Sequence, residues 1–288
     1  MPTKRENFVP SLRAQWLGVR MRELREKRDL TLKEVATFLG VEFSTLARYE
    51  RAEWPFKTRH VVELLDFYGI TDEDEREKVT DLGRHMWRLN RWDADTGAED
   101  HELPFASYRW VQNRAVQICA YGTVCIPPLL QTREYADALV RAVHDELPAH
   151  KIANAVQDRM ERRKILERTP KVHVTAVIEE AALRRAVGGT AVLRPQLEHL
   201  RELVARPEVD IRVMPQNVFG HPGLHGAFTL FHMRQPYPPV AYLEHLGGFM
   251  WLESERAERY AKVYQRLMET ALSPSLSAVH IAELTEEL

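Results

Sequence analysis

Residues 30–49, LTLKEVATFLGVEFSTLARY, constrain the fold more than any other part of the chain. Thr31 followed by Glu34 is a capping box, in which the hydroxyl meets the first helical amides and the carboxylate reaches back. Val35, Ala36 and Leu39 supply the buried stripe of a short helix, and Gly40 suits the left-handed turn that ends one. Val41 opens a second short helix through Tyr49 with Leu46 facing in, while Ala36 is small enough for the two helices to approach closely. Phe43, Ser44, Thr45 and Arg48 are then left pointing outward. Two short helices joined by a glycine turn, the second free along its N-terminal face, form a helix-turn-helix pattern.

The flanks support this pattern. Residues 14–29 place Leu17, Met21 and Leu24 at helical spacing, and residues 58–68 do the same with Val61, Leu64, Leu65 and Tyr68. A further helix is expected over 71–91, where Asp72, Glu73, Asp74 and Glu75 suit its N-terminal dipole. The polar, acidic run that follows ends at Pro104, and residues 92–104 are expected to be a linker. A chain of 288 residues exceeds one ordinary core. The expected division is a five-helix, all-α helix-turn-helix domain over 1–70, a connecting helix and acidic linker over 71–104, and an α+β regulatory domain over 105–288. No apolar run reaches the length of a membrane span, and the first residues lack the apolar core of a signal peptide, so a cytoplasmic protein is expected.

In the second half, strands are expected over 115–126 and 171–178 and in VDIRVMP, AFTLFHM and PPVAYLEHL. Helices are expected over 133–143, 150–168, LRPQLEHLRELVA and SERAERYAKVYQRLMETAL. The chemistry on offer there is sparse. His221 and His225 flank a Pro-Gly-Leu segment, which points to a loop; a shared metal is the other reading, although no acidic or cysteine ligand is near in sequence. Glu179 and Glu180 adjoin Arg184 and Arg185, which suits ion pairs on a helix surface better than acid–base work. Gly188-Gly189 suits a turn. Cys119 and Cys125 suit buried small apolar groups, with thiol sensing the alternative. No nucleophile–base pair, metal set or nucleotide loop stands out, so neither an enzyme nor a cofactor is expected. Tyr121, Phe219, Phe228, Phe231, Tyr242, Phe249 and Trp251 crowd the strand-rich part. They are either an ordinary core or the lining of a small-molecule pocket or partner groove, for which Tyr121, Phe219, His221, His225, Phe228, Tyr242 and Trp251 are the candidates.

Over residues 14–70 the segments LTLKEVATFLGV and STLARYER resemble the phage-repressor-like (XRE-type) helix-turn-helix family. That resemblance implies a structural ion pair between Arg25 and Glu50. It implies phosphate contacts from Thr31, Lys33, Lys57, Thr58 and Arg59, base contacts from Phe43, Ser44 and Arg48, and Thr45 on base or backbone. Leu32 stands where the family often has glutamine, which removes one common readout contact, and Glu42 stands where it has a polar cap. The segments PPLLQTREYADAL, EEAALRRAVGG, FGHPGLHGAFTLF and AYLEHLGGFMWLE resemble the C-terminal domain of actinobacterial WhiJ-like, antitoxin-like regulators.

Together the resemblances imply a transcriptional regulator bound to a double-stranded, pseudo-palindromic operator, with a small effector molecule or a small partner protein on the C-terminal domain. An antitoxin-like protein that sequesters a small partner is the alternative, as is a helical bundle that binds protein through the same face. Residues 1–70 hold 13 Lys/Arg against 10 Asp/Glu while the whole chain carries a net charge of -2. So small a local excess suits a homodimer reading two half-sites better than one copy acting alone.

Overall fold

The computed structural model describes residues 8–86, 108–218, 220–235, 237–245 and 248–288. The expected linker at 92–104 lies outside them. The chain divides into two compact units, the first built on residues up to Trp110 with short returns at 235–238 and 252–254, the second on the rest.

Among the described residues the first unit contains five helices, four of them within the 1–70 span expected to hold all five and the last beyond it: α1 (Leu12–Glu26), α2 (Leu32–Leu39), α3 (Phe43–Glu50), α4 (Thr58–Phe67) and α5 (Glu73–His85). The Thr31 hydroxyl accepts from the Glu34 amide and the Glu34 carboxylate accepts from the Thr31 amide, so the capping box is complete. Gly40 ends α2 at φ 62°, and nothing lies near the position of its missing Cβ, so glycine is needed there for backbone angle rather than space. Leu17, Met21, Val35, Leu46, Val61, Leu64, Leu65 and Tyr68 form one buried core with Val79, Leu82 and Met86. The helix expected over 71–91 is described as far as His85, and residues 87–107 lie outside the description.

In the second unit α6 (Tyr108–Arg114), whose first turn straddles the boundary, leads into β1 (Ala115–Gly122), then α7 (Arg133–Val143), α8 (Ala149–Arg163) and β2 (His173–Glu179). The chain continues through α9 (Glu180–Arg184), α10 (Thr190–Val204), β3 (Val209–Met214), β4 (Phe228–Met233), β5 (Val240–His245), β6 (Gly248–Glu253), α11 (Glu255–Thr270) and α12 (Pro274–Glu286). The strands make one sheet in the order β3-β2-β1-β4-β5-β6. β1, β2 and β3 run parallel, with helical crossovers between them as parallel pairing requires, and β4 and β5 join antiparallel. The edge of β3 is covered rather than left open: the Leu272 amide donates to the Val213 carbonyl at 2.9 Å, and the Val213 amide donates to Ser277 Oγ at 2.9 Å. The α+β expectation holds. The helix expected over 150–168 is shorter, because after Arg163 the backbone tightens into a 3-10 turn, Lys164–Glu167.

Candidate nucleic-acid interface

The first unit anchors α3 from behind and leaves its front free. Arg25 Nε donates to Glu50 Oε1 at 2.7 Å and Nη2 to Oε2 at 2.9 Å, with side chains only 8% and 5% exposed. A third Arg25 donor reaches the Leu30 carbonyl at 2.8 Å, so one guanidinium ties α1, the α1–α2 turn and α3 together. The carboxylate beside it raises the Arg25 pKa further. Gly18 completes this anchor: a Cβ there would stand 2.5 Å from the Glu50 carbonyl oxygen, so α1 and α3 meet backbone to backbone. Nothing in the sequence pattern separates Gly18 from an ordinary weak point in a helix.

On the free side Phe43 is 59% exposed, Ser44 and Arg48 are exposed, and Thr45 is half-buried. Leu46 and Ala47 face the core. Glu42 precedes α3 without making a side-chain cap, so the first amides of this helix are not taken by its carboxylate. The Arg48 guanidinium lies 4.5 Å from the centroid of the Trp54 ring, within cation–π range. Trp54 escaped sequence reasoning because it follows α3 in an irregular turn with no periodicity to mark it.

The flanking cations are sorted by partner. Arg20, Arg22, Arg51, Arg76 and Arg84 all pair with carboxylates. Lys33, Arg48, Lys57 and Arg59 pair with none among the described residues and are exposed. The two threonines differ from these lysines and arginines. Thr31 is committed to the capping box, its hydroxyl also donating to Glu34 Oε2 at 2.7 Å, and the Thr58 hydroxyl donates to the Gly83 carbonyl at 3.3 Å.

In the second unit the sheet divides the aromatic set. Tyr121 pairs directly with Phe228 across β1 and β4, which puts both on one face. Thr229 pairs with Tyr242 and Phe231 with Val240, so Tyr242 and Phe231 occupy the other face, where Tyr242 packs 4.7 Å from Trp251. Tyr121, Phe228 and Trp251 are buried. One pocket cannot be lined by both groups, and α11 covers the first through Tyr260, 4.9 Å from Phe228, and Tyr264, whose hydroxyl donates to Thr175. Phe219 lies outside the described residues.

His221 caps the 3-10 turn Pro222–His225, accepting from the Gly223 amide, and its Nε2 lies 3.2 Å from Glu179 Oε1. The Tyr121 hydroxyl donates to the same Glu179 oxygen. This corrects the expectation that Glu179 pairs with arginine: it stands at the end of β2 and is taken by Tyr121 and His221 before it can reach the helix. Glu180 does pair with Arg184, at 2.7 Å. His225 is exposed and joins neither group. Burial pushes the Cys119 thiol up to about 11 and raises that of Cys125. Among the described residues no cluster of three or more His, Cys, Asp or Glu is placed to hold a metal, and no helix is long and apolar enough to cross a membrane.

Comparison with known families matches residues 16–79 to the family described as "Helix-turn-helix domain" and residues 105–283 to that described as "Domain of unknown function (DUF5753)". No curated protein and no solved structure matches the chain. The helix-turn-helix match supports a DNA-binding regulator.

Proposed function

The chain belongs to the DUF5753 family and carries a helix-turn-helix domain ahead of that module, and on this footing we propose a sequence-specific regulator of transcription acting on double-stranded DNA. The observation that carries the proposal is the sorting of cations around α3. A helix held from behind by a buried bidentate ion pair presents Phe43, Ser44, Thr45 and Arg48, and the exposed Lys33, Lys57 and Arg59 beside it have no carboxylate partner among the described residues.

In this reading Ser44 and Arg48 donate to base edges in the major groove, Phe43 packs against thymine methyl groups, and Thr45 meets base or backbone. Lys33, Lys57 and Arg59 neutralise phosphates and set the register. Thr31 and Thr58 contribute by holding the ends of α2 and α4, since their hydroxyls are engaged within the unit. Trp54 pre-orients Arg48 by holding its guanidinium over the ring before DNA arrives. The protein acts as a homodimer on a pseudo-palindromic operator, because one copy offers few phosphate contacts. The second unit receives a signal, from a small molecule or a small partner protein, that alters operator affinity by favouring one arrangement of the dimer.

The test is binding of wild type and Arg48→Ala to genomic fragments that include the protein's own promoter, across a salt series. Wild type should select one fragment with affinity falling steeply as salt rises, and Arg48→Ala should lose about 1–3 kcal/mol and relax sequence preference. Failure to bind any fragment above the non-specific level at low salt sinks the proposal and leaves a bundle that recognises protein through α3.

A further inference from the structure

The second unit holds a cavity of about 490 Å³ between the first turn of α7, the end of α8 with its following 3-10 turn, and α10. Its walls bring together Arg133, Arg163, Lys164 and His199, with Glu134 and Glu167 also contributing. None of these was singled out in the sequence, since they come from separate helices.

Three features of the lining bear on what it can hold. The half-buried Arg163 guanidinium makes one hydrogen bond, from Nη1 to the Gln131 carbonyl at 2.8 Å, and has no carboxylate partner among the described residues. Arg133 is similar: its Nη2 donates to the neutral amide of Gln157 at 2.6 Å, and no carboxylate pairs with it among the described residues. His199 is 17% exposed, its Nδ1 stands 3.6 Å from Glu202, and its Nε2 is buried with no hydrogen-bond partner among the described residues. Arg141 and Arg184, outside the cavity, pair with Asp137 and Glu180, whereas Arg168, Arg185 and Arg194 donate to backbone carbonyls. Two arginines that share one cavity and have no carboxylate partner among the described residues keep guanidinium donors available to an anion.

We propose that this cavity binds a small phosphorylated polyhydroxy compound of the sugar-phosphate class, as the effector of the regulator proposed above. The volume suits a ligand of that size, and the walls are too polar for an apolar one. Arg133 and Arg163 offer forked donors to phosphate oxygens. The first turn of α7 adds the positive end of a helix dipole. Glu134 and Glu167 are exposed, so water screens their repulsion of the phosphate, and their carboxylates accept from the ligand's hydroxyls. Bare phosphate gains only the first set of contacts, and a neutral sugar only the second.

The full chain is titrated calorimetrically with glucose 6-phosphate, inorganic phosphate and glucose, as wild type, Arg163→Gln, Arg133→Gln and Arg141→Gln. The expected order is saturable binding of glucose 6-phosphate, binding of phosphate weaker by about tenfold or more, and none of glucose. Arg163→Gln and Arg133→Gln should each weaken glucose 6-phosphate about tenfold or more, while Arg141→Gln, which lies outside the cavity, should not. Arg133→Gln removes only an exposed contact, so it decides the question if Arg163→Gln fails to fold. No saturation by either anion, or equal weakening in Arg141→Gln, overturns the proposal. The regulator reading is judged separately, by fragment binding without ligand. Anion binding without DNA binding sinks that reading and keeps the cavity, and DNA binding without anion binding does the reverse.

Discussion

The face of α3 and the cavity beside α10 both gather cations that have no carboxylate partner among the described residues, but they hold them under opposite conditions. Lys33, Lys57 and Arg59 stand in water, where an unpaired charge costs little and long-range attraction to a polyanion is strong. Arg163 is half-buried, where a charge is less well hydrated and a close, well-shaped partner gains more. The first arrangement suits a large, uniformly charged partner approached over a surface. The second suits a small one that must be enclosed. A mutation confined to one site should leave the other's binding intact when the first site is empty.

The largest effect is expected where the first unit spends a buried charge to aim α3. Arg25→Ala leaves Glu50 buried without its partner and should lower stability by about 3–5 kcal/mol in urea unfolding. The double change Arg25→Met with Glu50→Leu should recover much of that loss, since apolar side chains can fill the site without leaving a charge behind. A cost below about 1 kcal/mol for Arg25→Ala would mean that the pair is not what fixes α3, because exposed ion pairs are worth no more than that.

The two units also differ in how far their sequences reveal them, and for a related reason. In the first, the determinants are local: Thr31 caps Glu34 three residues on, Gly40 turns the chain, and Leu46 faces in by helical spacing. Several levels of the sequence therefore agree over a short span. In the second, β1, β2 and β3 were legible from their branched apolar residues, but β6 was not, because Phe249 to Leu252 are apolar in succession and carry no alternation. α12 was missed as well, since its apolar residues point two ways: Ile281 and Leu284 are buried, while Leu276 and Val279 are exposed. The α3 face followed from the same local pattern. Trp54, the partners of Glu179 and the cavity did not, because contacts between residues far apart in sequence leave no periodic trace.

A smaller effect separates the covered sheet edge from the helical unit. Ser277 Oγ accepts from the Val213 amide and donates to the Leu272 carbonyl at 3.3 Å. Ser277→Ala leaves a buried edge-strand amide unpaired and should cost about 1–3 kcal/mol. The loss should fall on the second unit alone, with faster hydrogen exchange at Val213 and no change at the amides of α3. Equal loosening of α3 would show that the two units do not respond independently.

The smallest effect is the acid sensitivity of the two units, and here they should part again. His60 in α4 is buried at 2% exposure with its Nδ1 unpartnered among the described residues, and burial, then the charge of Lys57, holds its pKa below the ordinary value. His199 and His232 in the second unit are lowered by burial as well, and Arg163 adds to the effect at His199. In each case the unfolded chain binds more protons, so stability is full above about pH 6.5 and declines as pH falls through the lower folded value. His60→Leu should flatten this decline for the first unit. Sulfate, which keeps its charge throughout this range, should act only on the second, because an anion beside His199 favours the protonated ring and raises its pKa towards the unfolded value. The acid slope of the second unit should therefore shrink in sulfate while that of the first does not. Equal shrinkage in both would reduce the anion effect to general salt and leave the cavity without a special claim on it.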